Sequence, residues 1–135
     1  MSDSPQMIFV NLPVRDLEVS KTFFAALGYA FNPTFTDQNA ACMIVSDSIF
    51  VMLLVEPFFA GFTSKPISDA RAGTEVIIAL SAPSREAVDT HLEKALAAGA
   101  REPQPPRDYG FMYQRGFEDR DGHLWEIAHM RGMPE

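Results

Sequence analysis

The stretch Phe117-Glu118-Asp119-Arg120-Asp121-Gly122-His123-Leu124-Trp125-Glu126-Ile127 decides how the chain is read. An aspartate at a turn accepts hydrogen bonds from the backbone two residues on, and Gly122 supplies the positive φ such a turn needs. The apolar run that follows has the length of a strand. Alternation puts Leu124, Glu126 and Ala128 on one face and Trp125, Ile127 and His129 on the other. Burying an unpaired carboxylate costs several kcal/mol. Glu126, inside a run that otherwise reads as core, therefore has to face something, and the rest of the chain is read to find it.

Composition narrows the classes. A chain of 135 residues suits one domain spanning 1–135 with a real core. Its 47% hydrophobic content and 11 phenylalanines fit a folded globular protein. The net charge of −7 argues against nucleic acid or an anionic membrane as partner, since both reward clustered Lys and Arg. Cys42, the single cysteine, excludes an internal disulfide and a thiolate-rich metal site. Met1-Ser2-Asp3-Ser4-Pro5-Gln6 lacks a basic-then-apolar signal pattern, so a cytoplasmic protein is expected.

Working outward, Met7 to Val14 reads as a strand. Asp16 caps a helix whose Leu17, Ser20, Phe23, Phe24 and Leu27 recur at helical spacing, and Gly28 stops it. Tyr29 to Phe35 is a second expected strand, and Ala40–Val45 with Ile49–Val55 make a hairpin. This first module covers residues 7–55. Residues 56–73 hold two prolines and a phenylalanine cluster and read as a connector. Thr74 to Ala82 is again a strand, Ser84 caps a helix striped by Val88, Leu92, Ala95 and Leu96, and Gly99 ends it. Ala100–Gln104 is an expected strand, Pro105-Pro106-Arg107-Asp108 a turn, and Phe111–Phe117 with His123–Met130 the last pair. The second module covers 74–130. Both modules read β-α-β-β-β, so the expected class is α+β with a duplicated βαβββ unit.

Three blocks, Asn11-Leu12-Pro13-Val14-Arg15-Asp16-Leu17, Phe23-Phe24-Ala25-Ala26-Leu27-Gly28 and Phe117 to Glu126, resemble the vicinal oxygen chelate superfamily. That superfamily includes glyoxalase I, bleomycin resistance proteins and extradiol dioxygenases. Arg120 stands where the family's terminal hairpin usually has proline. The resemblance implies two βαβββ modules whose curved mixed sheets close around a cleft, and a homodimer. It also implies four metal-ligand positions, one on the first and fourth strand of each module. They fall on Phe9 (or its same-face neighbour Asn11), Leu53, Ile77 (with Glu75 and Ala79 beside it) and Glu126. Only the last is a ligand type, so no metal site is expected; Zn, Ni, Fe or Mn belongs only to an enzyme reading.

The ligand-binding cleft implied in this way holds Phe9, Asn11, Leu53, Ile77, Tyr113 and Glu126, with Phe58, Phe59, Phe62 and Phe111 as further aromatic candidates. The leading expectation is metal-independent binding of a small, partly aromatic or apolar molecule. The alternative is a glyoxalase-like lyase or isomerase, with Glu126 as general base and Asn11, Tyr113 or Gln114 polarising a carbonyl. A third reading is an interaction module that uses the Phe-rich connector. The fragment Asp119-Arg120-Asp121-Gly122 lacks the further oxygens of a calcium loop and reads as a turn. Cys42 reads as core, His91 as a partly buried helix residue and His123 as structural or exposed, while His129 faces away from Glu126.

Overall fold

Two helices with matching caps organise the computed structural model, which describes residues 6–131. Leu17–Ala26 (α1) begins at Asp16, whose carboxylate accepts from the backbone N–H groups of Glu18 and Val19 at 3.1 and 3.2 Å. It ends where Gly28 N–H donates to Ala25 O and Tyr29 N–H to Phe24 O. A later helix, Arg85–Ala97, repeats this scheme. Ser84 Oγ accepts from Ala87 N–H at 3.0 Å, Gly99 N–H donates to Leu96 O, and Ala100 N–H to Ala95 O. Gly28 and Gly99 are both left-handed, at φ 105° and 108°, as the closing pair of hydrogen bonds requires.

The chain divides into two compact units, Met1–Ser68 and Asp69–Glu135. In the first, Ile8–Val14 (β1), Ala30–Phe31 (β2), Ala40–Ile44 (β3) and Ile49–Val55 (β4) form a mixed sheet in the order β1-β4-β3-β2. β1 runs parallel to β4, and the other pairs are antiparallel. Glu56–Phe59 (α2) and a 3₁₀ turn at Ala60–Phe62 follow, inside the stretch the sequence reads as connector. In the second unit, Ile77–Ser81 (β5), Arg107–Asp108 (β6), Met112–Glu118 (β7) and Leu124–Met130 (β8) form the sheet β5-β8-β7-β6, with the same permutation and the same strand directions. The helix of this unit, Arg85–Ala97, is α3.

α1 and α3 each pack on one face of their sheet, while β3 is buried on both faces, Ala40 and Cys42 lying on the face opposite Ala41 and Met43. In the first unit Leu12, Val14, Ala41, Met43, Val51 and Leu53 are buried on one side of the sheet, with Leu17, Phe23, Phe24 and Leu27 of the helix segment. In the second, Phe117, Trp125 and Ile127 of the sheet are buried with Val88, Leu92 and Ala95 of α3. Each large apolar side chain so buried contributes about 1.5–3 kcal/mol.

Two expectations differ from the structure. Tyr29–Phe35 yields only the two-residue β2, because Asn32 accepts from Thr34 N–H at 2.9 Å and Pro33 starts a 3₁₀ turn. Ala100–Gln104 gives a single bridge, Arg101 to Glu118, and the edge strand forms instead at Arg107–Asp108. Pro103, Pro105 and Pro106 lack N–H donors, so a strand starts only beyond them. Among the described residues no helix is long and apolar enough to cross a membrane.

Candidate functional site

The hairpin between β7 and β8 sets the direction of every side chain on β8. Asp119 is buried. One carboxylate oxygen accepts from the backbone N–H groups of Asp121 and His123 at 2.9 and 3.0 Å, and the other accepts from the Trp125 indole N–H at 3.0 Å. Burial pushes the Asp119 carboxyl above its ordinary value of 3.8, against the pull of these donors. Arg71 closes the turn from outside, donating to Arg120 O at 2.7 Å. With Trp125 held on the helix side by this carboxylate, strand parity turns Glu126 to the opposite, open face.

Glu126 lies opposite Gly116 of β7. A Cβ on Gly116 would meet Trp125 O at 3.0 Å and the Glu126 Cγ at 3.5 Å, so the glycine keeps open the space beside the carboxylate. That space belongs to a cavity of about 300 Å³ within the second unit, lined by Ile77, Arg107, Gln114, Leu124 and Glu126 among others. Among the described residues the Glu126 carboxylate has neither a hydrogen bond nor an ion pair. A half-buried free carboxylate beside an amide and aliphatic walls can accept hydrogen bonds from a ligand or take a proton from one.

The structure brings together only part of the expected cleft set. Ile77 and Glu126 share the open face of the second unit, through the pairings of Ile77 with Leu124 and Ala79 with Glu126. Phe9 and Asn11 are exposed on the open face of the first unit, where Phe9 stacks on Phe50 at 5.0 Å. Leu53 does not join them. It pairs with Leu12, is fully buried and faces the helix side, so the open-face residues of β4 are Phe50, Met52 and Leu54. Tyr113 is likewise on the helix side. It pairs with His129, and its hydroxyl donates to Asp89 of α3 at 2.6 Å. Both corrections have one cause: a shift of one residue in register moves a side chain to the other face. Of the aromatic candidates, Phe58 and Phe62 meet edge-on at 5.3 Å, and Phe111 is half exposed.

The α3 side of the second unit is partly ionic. Arg115 donates to Glu102 at 2.8 and 2.9 Å and to Asp89 at 3.0 Å. Arg85 pairs with Asp108 and lies 4.3 Å over the Tyr113 ring. The Tyr113 hydroxyl, followed by Arg115, holds the Asp89 carboxyl below its usual range. Glu102 and Asp89 keep Arg115 firmly charged. These groups bind one another and have little left for a ligand.

The remaining singled-out residues are structural. His91 stacks on Phe117 at 5.8 Å, and burial holds its imidazole below the ordinary value. His129 donates from Nδ1 to Ala82 O at 3.0 Å. Cys42 is buried, which raises its thiol.

At the four positions that the resemblance assigns to a metal stand Phe9, Leu53, Ile77 and Glu126, of which only Glu126 carries a donor side chain. The open face of the first unit offers Asn11 amid Phe9, Phe50, Met52 and Leu54, and that of the second offers Glu126 amid Ile77, Ala79 and Leu124. A catalytic divalent site needs about three convergent nitrogen or oxygen donors. Among the described residues no group of three His, Cys, Asp or Glu side chains could hold one.

Comparison with known proteins agrees with this geometry. The family model described as bleomycin resistance protein-like N-terminal matches residues 6–46. A hypothetical protein from S. aureus is 29% identical, covering 96% of this chain and 95% of its own, with a TM-score of 0.77. A glyoxalase-related enzyme from Fulvimarina pelagi, 21% identical, covers 96% of this chain and 91% of its own with a TM-score of 0.81. A glyoxalase/bleomycin resistance protein/dioxygenase family enzyme from Burkholderia phytofirmans, 17% identical, covers 93% and 99% with a TM-score of 0.76. No curated protein matches the sequence. The fold is that of the glyoxalase/bleomycin resistance/dioxygenase proteins. The likeness to these structures is one of fold, and the family-model match is confined to residues 6–46.

Proposed function

We propose that this protein binds a small molecule without a resident metal, at the open face of its second unit. The observation that carries the reading is Glu126, a carboxylate with no partner among the described residues, facing a cavity of about 300 Å³ with aliphatic walls. A site of that size suits a ligand of roughly ten to twenty heavy atoms. Apolar residues at the other family ligand positions support a binder over a metal enzyme. The bleomycin resistance protein-like match of residues 6–46 points the same way. A homodimer completes the reading, supported by exposed Met7, Ile8 and Phe9 at the free edge of one sheet and Val76 and Ile77 at that of the other.

The test is a fragment screen by protein-observed NMR on chelator-treated protein. Ligands are expected to shift the amide signals of Gly116, Leu124 and Glu126. A screen in which no fragment perturbs these signals at millimolar concentration contradicts the reading.

A second reading has Glu126 as general base in a lyase or isomerase, favoured by the same unpaired carboxylate. Asp89 already engages Tyr113, so Gln114 is left in this unit as the donor to a substrate carbonyl. Turnover of a 2-oxoaldehyde hemithioacetal that survives chelator and is lost in Glu126→Gln is the outcome that would move this reading ahead.

A further inference from the structure

The cavity that faces Glu126 has a second charged wall. Arg107 on β6 pairs in register with Gln114 on β7, and Gln114 pairs with Ala128, two residues from Glu126 on the same face. Arg107, Gln114 and Glu126 therefore project from one side of the sheet, and all three line the cavity. On regular sheet spacings the Cα atoms of Arg107 and Glu126 stand roughly 12 Å apart, with Gln114 and Gly116 on the strand between them. Gly116 contributes no side chain, and the floor there is open.

Arg107 differs from its neighbours in having nothing to bind. Arg85, Arg101 and Arg115 each pair with a carboxylate, and Arg71 and Arg120 donate to backbone carbonyls. Arg107 makes no side-chain hydrogen bond or ion pair among the described residues, and neither does Gln114. A guanidinium presents a planar fork that matches an oxyanion with two parallel hydrogen bonds. On a chain of net charge −7 it is a local exception to the surrounding field. At the far end, a free carboxylate accepts from ammonium, hydroxyl or amide N–H groups. Ile77 and Leu124 line the same cavity with aliphatic surface.

We infer that the second unit binds a bipolar small molecule, with an oxyanion on Arg107, a hydrogen-bond donor on Glu126 and a short apolar body between them over Gly116. The inference rests on the small-molecule reading and sharpens it, naming Arg107 and Gln114 as specificity-determining residues and excluding a wholly apolar ligand. A carboxylate joined to an ammonium or hydroxyl by a flat or aliphatic spacer is the chemical class implied.

Four matched probes test it by titration calorimetry on the full chain: 4-(aminomethyl)benzoate, benzoate, benzylamine and p-xylene. The bipolar probe is expected to bind about tenfold or more tightly than benzoate or benzylamine, and p-xylene more weakly still. Arg107→Gln, at an exposed edge position, is expected to reduce the bipolar probe to the affinity of benzylamine and to leave benzylamine unchanged. Glu126→Gln is expected to reduce it to that of benzoate. Equal affinity of the bipolar probe and p-xylene, or an Arg107→Gln variant that binds as the parent does, overturns the inference while leaving a small-molecule site in place. Absence of binding by all four probes, together with silence in the fragment screen, removes both.

Discussion

The two units share a strand permutation and a capping scheme, yet their sheets are used differently. The first packs a helix side that is apolar but for Ser20, with Phe24, Val51, Leu53 and Met43 at 0–1% exposure, and leaves Phe9, Asn11 and Phe50 on its open face. The second mixes Phe117 and Trp125 with the ionic cluster of Asp89, Glu102, Tyr113 and Arg115 on the helix side, and places free charges on its open face. A duplicated scaffold tolerates this because each strand alternates its side chains between two faces. The helix side must satisfy packing. The open face can change without unfolding the module, and there the second unit carries charged groups, Arg107 and Glu126, where the first carries the neutral Asn11.

Core truncation in the apolar unit should have the largest effect. Leu53→Ala is expected to cost about 2–5 kcal/mol in denaturant unfolding, by the same amount at pH 7 and pH 4, since no titrating group is involved. Arg115→Met in the second unit should cost less, about 1–3 kcal/mol, because Asp89 is 43% exposed and water takes over part of its pairing. A cost above that of Leu53→Ala would mean that the ionic cluster, and not the apolar contacts, holds α3 in place.

Tyr113→Phe should have the smallest effect, about 1 kcal/mol at neutral pH, and the most diagnostic pH dependence. The hydroxyl is the main cause of the lowered Asp89 pKa. A carboxylate whose folded value is depressed adds stability above its ordinary value of 3.8, and that stability disappears as pH falls through the folded value. The gap between parent and variant should therefore close on acidification below about pH 4. A gap that stays constant across the acid range would show that the cost comes from lost packing.

The fold was legible because its signals are local and repeated. Asp16 and Ser84 caps, Gly28 and Gly99 stops and the Asp119–Gly122 turn each settle a few residues by short-range chemistry. The candidate site was legible only in part. Glu126 stood out because a carboxylate in a core-like strand is costly, and Ile77 follows it by parity. Leu53 and Tyr113 face the helix side, against expectation, because pairing register is a property of two strands and neither strand alone reveals it. Arg107 was hidden in a proline-rich segment that reads as a turn. The available signal was that it is the first residue after three prolines able to donate to a neighbouring strand.

On the function proposed above, the second unit binds its ligand without a resident divalent metal. Elemental analysis of the purified protein, paired with thermal unfolding of chelator-treated samples before and after addition of nickel, zinc or manganese, tests it most directly. The account predicts substoichiometric metal and an unchanged Tm on addition of each. One equivalent of bound metal that raises Tm and is lost in Glu126→Gln would contradict it.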